Sequence, residues 1–301
     1  WTVFQAPDVK LIAVNAARFD AVKHLALAVV GDADEALADL EAGLEGYAAP
    51  ETWSRRASSL YAEWNTVIDT HTKAGNTDLP SYAQVVGAVN RQAGEKDRVL
   101  TAAGGLPGEL TKNWKVKSPG TFDCEFGFSC MGYEIAGGWG AKMATPDAEV
   151  IVMVGDGSYL LMNSDIYSSV LTGHKLIVVL CDNAGFAVIN RLQNFKGVPS
   201  FNNLLQDCRI KSLVRVDFAR HAEAMGAIAE HVHSIADLEG ALQRAKAADR
   251  TTVIVIDTDP SVWTPGDAWW DVGVPAESNR DSVRKAAADH AVGKRKQRIG
   301  V

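Results

Sequence analysis

Uninterrupted hydrophobic runs recur in the second half of the chain, at residues 150–154, 176–181 and 253–256. Such runs are typical of parallel strands, because helices cover both faces of a parallel sheet and neither face can stay polar. Elsewhere the apolar residues follow the 3.6-residue period of a helix. Two such helical faces consist of Tyr82, Val85, Val86 and Val89, and of Leu238, Leu242 and Ala245. The pattern predicts an α/β fold, a doubly wound parallel sheet with helices on both faces, over residues 80–259.

A shorter alternation of strands and helices occupies the first 48 residues. Strands are predicted at residues 9–14 and 28–30, with a short helix at 20–27 and a second helix capped by Asp32. One face of that second helix carries Leu37, Leu40, Leu44 and Tyr47. Two strands and two helices are too few to close an α/β layer, so residues 1–48 are predicted to be the last part of a larger domain.

Two segments lack this alternation. Residues 49–79 are polar and predict an irregular linker. The residues that interrupt this segment are Pro50, Arg55, Arg56 and Gly75. Residues 260–301 form a tail with a basic, helix-like end. Its tryptophans, which are predicted to dock the tail on the rest of the protein, are Trp263, Trp269 and Trp270.

Composition and charge indicate which kinds of molecule the protein is expected to bind. The chain has 301 residues and a formal net charge of −7. Nucleic acids and anionic membranes favour basic surfaces, so neither is expected as a partner. No apolar run approaches the roughly 18 residues that span a bilayer. The cysteines form no C-x-x-C pair, which argues against a zinc knuckle or a disulfide framework. They are Cys124, Cys130, Cys181 and Cys208. We expect a soluble, cytoplasmic protein that acts on a small molecule.

A polar turn, Gly155-Asp156-Gly157-Ser158, stands directly after the first of the long hydrophobic runs. In an open parallel sheet, ligands bind beyond the carboxyl ends of the strands, where this turn must lie. The glycines let the backbone approach a ligand and direct N–H groups at phosphate, while the carboxylate of Asp156 can take a metal. Taken alone, Gly-Asp-Gly is more often an ordinary tight turn.

A second polar tip, residues 181–186, ends the next hydrophobic run and carries Asn183, 27 residues after Asp156. That spacing accommodates one helix and one strand returning to the same sheet edge, so the two tips are predicted to be neighbours. Magnesium prefers octahedral oxygen ligands and uses one or two protein carboxylates, with phosphate and water completing its shell. The predicted magnesium ligands are Asp156, Asn183 and the backbone carbonyl of Gly185.

The spacing Gly-Asp-Gly-x25-Asn and the glycine-rich segment 127–138 together resemble the diphosphate-binding domain of thiamine-diphosphate enzymes. The resemblance implies the thiamine-diphosphate-binding fold for residues 80–259 and the C-terminal part of a central Rossmann-like domain for residues 1–48. It implies thiamine diphosphate and Mg²⁺ as cofactors. Met131 would be the apolar wedge that bends the cofactor, and Ser129 would offer its carbonyl to the aminopyrimidine. The residues implied to bind the cofactor are Gly105, Ser129, Met131, Gly155, Asp156, Gly157, Ser158, Asn183, Gly185 and Phe186.

A closer likeness lies in residues 102–110, 125–138 and 269–274, which resemble the trihydroxycyclohexane-dione hydrolases of myo-inositol catabolism. It implies hydrolytic cleavage of a carbon–carbon bond that opens trihydroxycyclohexane-1,2-dione, a cyclic 1,2-dione, to 5-deoxyglucuronate. One departure is Asp182, where related enzymes often have asparagine; it adds negative charge near the phosphates. Three residues are predicted either to line the substrate pocket or to form a solvated helix face. They are Asn190, Arg191 and Gln193.

The family also uses a pyrimidine-binding domain, whose glutamate activates the cofactor, and this domain is not recognisable in the sequence. The resemblance therefore implies the C-terminal half of a longer protein, inactive by itself, with an active site formed in a homodimer or tetramer. Two alternatives stay open: another thiamine-diphosphate enzyme, such as an acetolactate-synthase-like ligase or a 2-oxoacid decarboxylase, and a non-catalytic nucleotide-binding or scaffold domain. His231 and His233 are not predicted to hold a metal, since no third ligand is suitably spaced.

Overall fold

The computed structural model describes residues 4, 6, 8–75, 77–267 and 271–296. These residues form two compact units. One comprises the described residues up to Glu63, Lys196–Val198 and the described residues from Gly266 onward, and the other comprises Trp64–Phe195 and Pro199–Pro265. Trp269 and Trp270, which the sequence predicts to dock the tail, lie outside the described residues.

The first unit begins with two parallel strands, β1 (Ile12–Asn15) and β2 (Leu27–Val30). Between them lie α1 (Arg18–Ala21) and a 3₁₀ turn, and α2 (Ala33–Gly43) follows. The side chain of Asp32 accepts a hydrogen bond of 2.9 Å from the backbone N–H of Asp34, as the predicted cap requires. The order strand, helix, strand, helix is confirmed, although the helix between the strands ends earlier than predicted.

The prediction of an irregular stretch after residue 48 is wrong for most of its length. Residues Glu51–His71 form one continuous helix, α3. Pro50 and Gly75 flank this helix instead of interrupting it, so nothing within it breaks the ladder. The polar residues that suggested a loop, such as Arg55, are good helix formers whose charged ends stay in solvent.

The second unit alternates strands and helices, with two consecutive helices in two of the crossovers. Its elements are α4 (Tyr82–Gln92), β3 (Arg98–Thr101), α5 (Leu106–Asn113), β4 (Phe122–Cys124), α6 (Tyr133–Ala144), β5 (Val150–Gly155), α7 (Asp156–Leu161), α8 (Asp165–Thr172), β6 (Ile177–Asp182), α9 (Ala187–Phe195), α10 (Phe218–Ala224), β7 (Ile228–Val232), α11 (Ile235–Ala247) and β8 (Thr252–Asp257). The last helix of the chain, α12 (Asp281–Arg295), belongs to the first unit.

The six strands of the second unit form a parallel sheet in the order β4-β3-β5-β6-β8-β7. Alternate residues of a strand point to opposite faces, and both faces are covered. Met153 packs in a cluster with Val85 of α4, whereas Val152 packs in a second cluster with Ile135 of α6. Each fully buried side chain of this size contributes about 1.5–3 kcal/mol to folding. The fold class predicted from the hydrophobic runs is confirmed.

Strand register determines where the polar tips meet. Gly155 at the end of β5 is paired with Cys181 near the end of β6, so the chain leaves both strands at the same edge of the sheet. The two motifs that follow are therefore neighbours, as predicted from their spacing. Among the helices that the structure describes, none combines the length and apolar character needed to cross a bilayer.

Candidate functional site

One cavity at the carboxyl edge of the sheet is lined by all ten residues that the sequence analysis selected for cofactor binding. They come from four loops: the one before α5, the one before α6, the turn from β5 to α7, and the tip after β6. The cavity is also lined by Tyr82, Ala103, Gly104, Leu106, Ala187, Val188 and Ile189. The structure thus brings together side chains that lie as far apart in sequence as Gly105 and Phe186.

Asp156 connects the two polar tips. Its Oδ2 accepts a hydrogen bond of 2.9 Å from the backbone N–H of Gly185, on the tip after β6. Burial, and then the nearby charge of Asp182, raise the pKa of the Asp156 carboxyl to about 7. A cation beside the carboxylate would oppose both effects and keep it ionised at neutral pH.

Asn183 presents an acceptor that has no hydrogen-bond partner among the residues that the structure describes. Its Nδ2 donates a hydrogen bond to the hydroxyl of Tyr82, while its Oδ1 is buried and accepts no hydrogen bond. A buried acceptor left without a donor costs about 1–3 kcal/mol. A magnesium ion in the cavity would satisfy this oxygen, so the residues present fit the predicted metal. Burial also raises the pKa of Tyr82 well above its usual range, which keeps its phenol protonated.

Gly185 occupies a position that only glycine can fill. Its φ is +146°, and a Cβ atom there would lie 2.3 Å from the carbonyl oxygen of Asn203. The close approach is part of a short antiparallel bridge from Gly185 to Leu204, which holds the tip after β6 in place. The backbone N–H of Phe186 strengthens it by donating to the Asn203 carbonyl at 2.7 Å.

Asp182, the departure noted in the sequence, has its charge compensated. Its Oδ1 accepts from the backbone N–H of Ala184 at 2.8 Å, and its Oδ2 lies 2.7 Å from an amino group of Arg215. Arg215 also approaches Asp257 at 3.6 Å. The carboxylate therefore stabilises the turn of the tip, although its charge still contributes to the raised pKa of Asp156.

The apolar wall of the cavity leaves no room for a side chain at Gly157. A Cβ atom on Gly157 would lie 2.7 Å from the ring of Phe186 and 3.3 Å from the Cε atom of Met131. Met131 and Phe186 therefore approach each other over the turn that carries Asp156. This arrangement suits the wedge that the resemblance assigns to Met131.

Glu134 is a residue of the site that sequence reasoning missed. Its carboxylate is fully buried and accepts hydrogen bonds from the backbone N–H groups of Ala103 at 3.1 Å and Gly132 at 2.8 Å. The hydroxyl of Ser158 also bonds to it, and burial raises its pKa. One carboxylate thus connects three of the loops that line the cavity. Its only sequence signal was an acidic residue in the first turn of α6.

The three residues predicted for the substrate pocket lie on α9, outside the set that lines the cavity. Asn190 is buried, and its Oδ1 accepts no hydrogen bond from the described part of the chain. The guanidinium of Arg191 lies over the ring of Trp263, 4.8 Å from its centroid. Gln193 donates to the carbonyl of Pro199 and accepts from the side chain of Asn203. In this arrangement Gln193 supports the bridge between Leu204 and the tip after β6. The substrate role of all three residues stays a prediction.

Other polar clusters are less suited to a ligand. The rings of His231 and His233 lie 4.8 Å apart, and His231 is 3.4 Å from Asp257. Within the described part of the chain, no group of three or more His, Cys, Asp or Glu side chains is placed to hold a metal. A cation at Asp156 and Asn183 would therefore need additional oxygens, such as those of a diphosphate.

Residues 102–256 match the protein family described as thiamine pyrophosphate enzyme, C-terminal TPP binding domain. The match covers just over half of the chain and contains both polar tips. The chain belongs to this family of thiamine-diphosphate enzymes.

Individual relatives show which members of the family this chain is similar to. The 3D-(3,5/4)-trihydroxycyclohexane-1,2-dione hydrolase of Bacillus subtilis (strain 168) is 33% identical over 316 residues, covering 95% of this chain and 48% of that protein. The protein of the same name from Geobacillus thermodenitrificans (strain NG80-2) is 34% identical over 305 residues, covering 92% and 48%. The resemblance to these hydrolases is confirmed, and the chain spans about half the length of the relatives it matches.

A solved structure supports the fold. The thiamine diphosphate-dependent 4-hydroxybenzoylformate decarboxylase of Rhodococcus jostii RHA1 superposes with a TM-score of 0.55, covering 61% of this chain and 33% of that one. The sequence identity is 19%, so this likeness concerns the fold alone.

Proposed function

We propose that the cavity holds the diphosphate of thiamine diphosphate through Mg²⁺, with Asp156, Asn183 and the backbone carbonyl of Gly185 as the protein ligands. The observation that carries this proposal is the buried, unpaired Oδ1 of Asn183 in the same cavity as the Asp156 carboxylate. Both are hard oxygen donors of the kind that magnesium selects. The family of the chain supports the choice of cofactor.

The remaining residues of the cavity would shape the cofactor site. Met131 and Phe186 supply an apolar surface beside the turn at Gly157, which limits water around the reacting part of the cofactor. Glu134 keeps the surrounding loops in register. When bound, thiamine diphosphate supplies an electron sink for the carbon–carbon bond that breaks.

For the reaction, we propose hydrolytic opening of trihydroxycyclohexane-1,2-dione to 5-deoxyglucuronate, as part of inositol catabolism. One water is consumed: the bond between the two carbonyl carbons breaks, one carbon becomes a carboxylic acid and the other an aldehyde. The support is the identity of 33–34% to hydrolases named for this substrate, over more than nine-tenths of the chain.

The complete active site would also need a second domain and a second subunit. Because the relatives are about twice as long as this chain, we propose that a pyrimidine-binding domain from the rest of the protein supplies the activating glutamate. The complete site would form in a homodimer or tetramer, and this chain by itself would be inactive. Four unpaired thiols fit a reducing, cytoplasmic location.

The substrate can be tested directly. The intact protein with thiamine diphosphate and Mg²⁺ is incubated with the cyclic dione, and separately with pyruvate and with benzoylformate. The proposal expects 5-deoxyglucuronate from the dione at a rate at least a hundredfold above turnover of either acid, a discrimination of about 2.7 kcal/mol. Unchanged dione with rapid decarboxylation of an acid would instead identify a decarboxylase, and no turnover at all would favour a binding or scaffold role.

A further inference from the structure

We propose that Tyr82 is a positioning residue for the metal site, orienting the carboxamide of Asn183 so that its oxygen faces the cation. This inference rests on the proposed function, because it assumes that Asn183 binds magnesium. It concerns a residue on α4, about a hundred positions before Asn183 in the sequence.

Tyr82 is held rigidly where it can act on Asn183. It is the first residue of α4, directly after Ser81, whose side chain and that of Gln84 form a reciprocal capping box. The Tyr82 ring is 4% exposed and packs edge-on against Trp263, with ring centroids 5.8 Å apart. The phenol oxygen therefore has little freedom to move away from the tip after β6.

The carboxamide of Asn183 has two ends of nearly equal size and opposite chemistry. Its oxygen can bind a hard cation, whereas its NH₂ group, which carries two donors and no acceptor, cannot. In the structure the NH₂ group donates to the Tyr82 hydroxyl, and the oxygen is buried with no hydrogen bond from any described residue. A half-turn of the amide would exchange the two ends. With the Tyr82 hydroxyl accepting from the NH₂ end, the oxygen end stays available to a cation, which is the orientation that a metal requires.

Partners of metal ligands that lie just outside the coordination shell have measurable effects on metal affinity. Changing such a partner typically costs about 10- to 100-fold in metal affinity or activity. Tyr82→Phe removes the hydroxyl alone and keeps the ring that packs on Trp263. We therefore expect Tyr82→Phe to weaken Mg²⁺ affinity about 10- to 100-fold, with cofactor binding recovered at high Mg²⁺.

The measurement is calorimetric titration of Mg²⁺ into the intact protein in the presence of thiamine diphosphate. A matched control is Tyr159→Phe, because Tyr159 is also fully buried and its hydroxyl bonds to His221 at 2.9 Å, away from the cavity. The control is expected to keep Mg²⁺ affinity within twofold of the unmodified protein. Thermal unfolding of both variants without metal verifies that each is folded.

A second pair of variants, made in a protein that carries Asn183→Asp, distinguishes orientation of the amide by Tyr82 from packing of the Tyr82 ring. Asn183→Asp replaces the amide by a carboxylate, whose two ends are both oxygen, so no orientation needs to be selected. In this background, Tyr82→Phe is expected to cost less than threefold in Mg²⁺ affinity. An equal loss in both backgrounds would show that Tyr82 acts through packing and would overturn the inference, as would unchanged affinity in Tyr82→Phe alone. Absence of magnesium-dependent binding in the unmodified protein would overturn the proposed function, and this inference with it.

Discussion

Single residues determine the shape of the cavity, and Gly157 is the clearest case. It belongs to the turn after β5 that carries Asp156, and it faces the apolar wall formed by Met131 and Phe186. The distance of 2.7 Å from a Cβ atom to the Phe186 ring is shorter than side chains tolerate. Because its φ is not in the left-handed region, the constraint on Gly157 comes from space and not from backbone conformation.

Gly157→Ala is therefore expected to displace Phe186 and to weaken cofactor binding at least tenfold while leaving the fold intact. Equilibrium binding of thiamine diphosphate at saturating Mg²⁺ measures this effect. Gly108→Ala is the matched control, since a Cβ atom there has nothing within 4 Å and Gly108 lies inside α5. Alanine at that helical position is expected to stabilise the protein by about 0.5–1 kcal/mol without changing cofactor affinity. Normal affinity in Gly157→Ala would contradict the account of the apolar wall.

Among single residues, the sequence predicts the metal-binding candidates better than the residues that hold them in position. Asp156 and Asn183 could be selected because each directly follows a hydrophobic run, and strand ends converge at one edge. Tyr82 was correctly placed on the inner face of a helix. Its position on that face does not distinguish a residue that contacts the site from an ordinary core residue. Glu134 likewise gives no periodic signal, because its role depends on three loops that only the folded chain brings together.

Among the elements, α5 is connected to the segment after β8 by a buried carboxylate. Glu109 accepts hydrogen bonds from both the backbone N–H and the hydroxyl of Thr264. Burial raises the pKa of Glu109, and the two bonds from Thr264 oppose that rise. The same segment carries Trp263, which packs against Tyr82 and Gly105 beside the cavity. This connection therefore supports one side of the cavity.

Thr264→Val removes the hydroxyl at nearly constant volume and is expected to raise the pKa of Glu109 further. A carboxyl whose folded-state pKa is raised contributes stability below its unfolded pKa and loses it as pH rises through the folded value. The variant should therefore lose more stability at pH 8 than at pH 5, by about 1 kcal/mol, because the bonds from Thr264 favour the charged form of the carboxyl.

Denaturant unfolding of the metal-free protein at both pH values provides the measurement for Thr264→Val. The control is Thr111→Val on α5, the helix of Glu109, where the hydroxyl donates to the carbonyl of Pro107. Its effect should stay within about 0.5 kcal/mol and not change with pH. A pH-independent loss in Thr264→Val would show that Glu109 is not the group responsible.

Predictability differs among elements for a physical reason. The predicted strand at residues 150–154 is almost identical to β5 (Val150–Gly155), because burial on both faces requires a continuous apolar run. Helix α3 was missed although Leu60, Trp64 and Ile68 recur at every fourth position, because most of its other residues are polar and exposed and this apolar stripe is short. Its one buried residue is Ile68.

For the whole molecule, the order of strands explains why one edge carries the site. Strands β3, β5 and β6 are consecutive in the sheet, and each is followed by a loop that lines the cavity. Farther along the same edge, Arg215 compensates the charges of Asp182 at the end of β6 and Asp257 at the end of β8. The polar groups of the two regions thus meet at the tip after β6.

The most direct measurement of the central claim is calorimetric titration of thiamine diphosphate into the intact protein, with Mg²⁺ and with EDTA. The account predicts binding with Mg²⁺ that EDTA abolishes, and no binding by Asp156→Ala under either condition. Asp147→Ala, an exposed aspartate before β5, serves as the control and should bind normally. Equal affinity with and without Mg²⁺, or full retention of the cofactor by Asp156→Ala, would contradict the assignment of a magnesium-held diphosphate to this cavity.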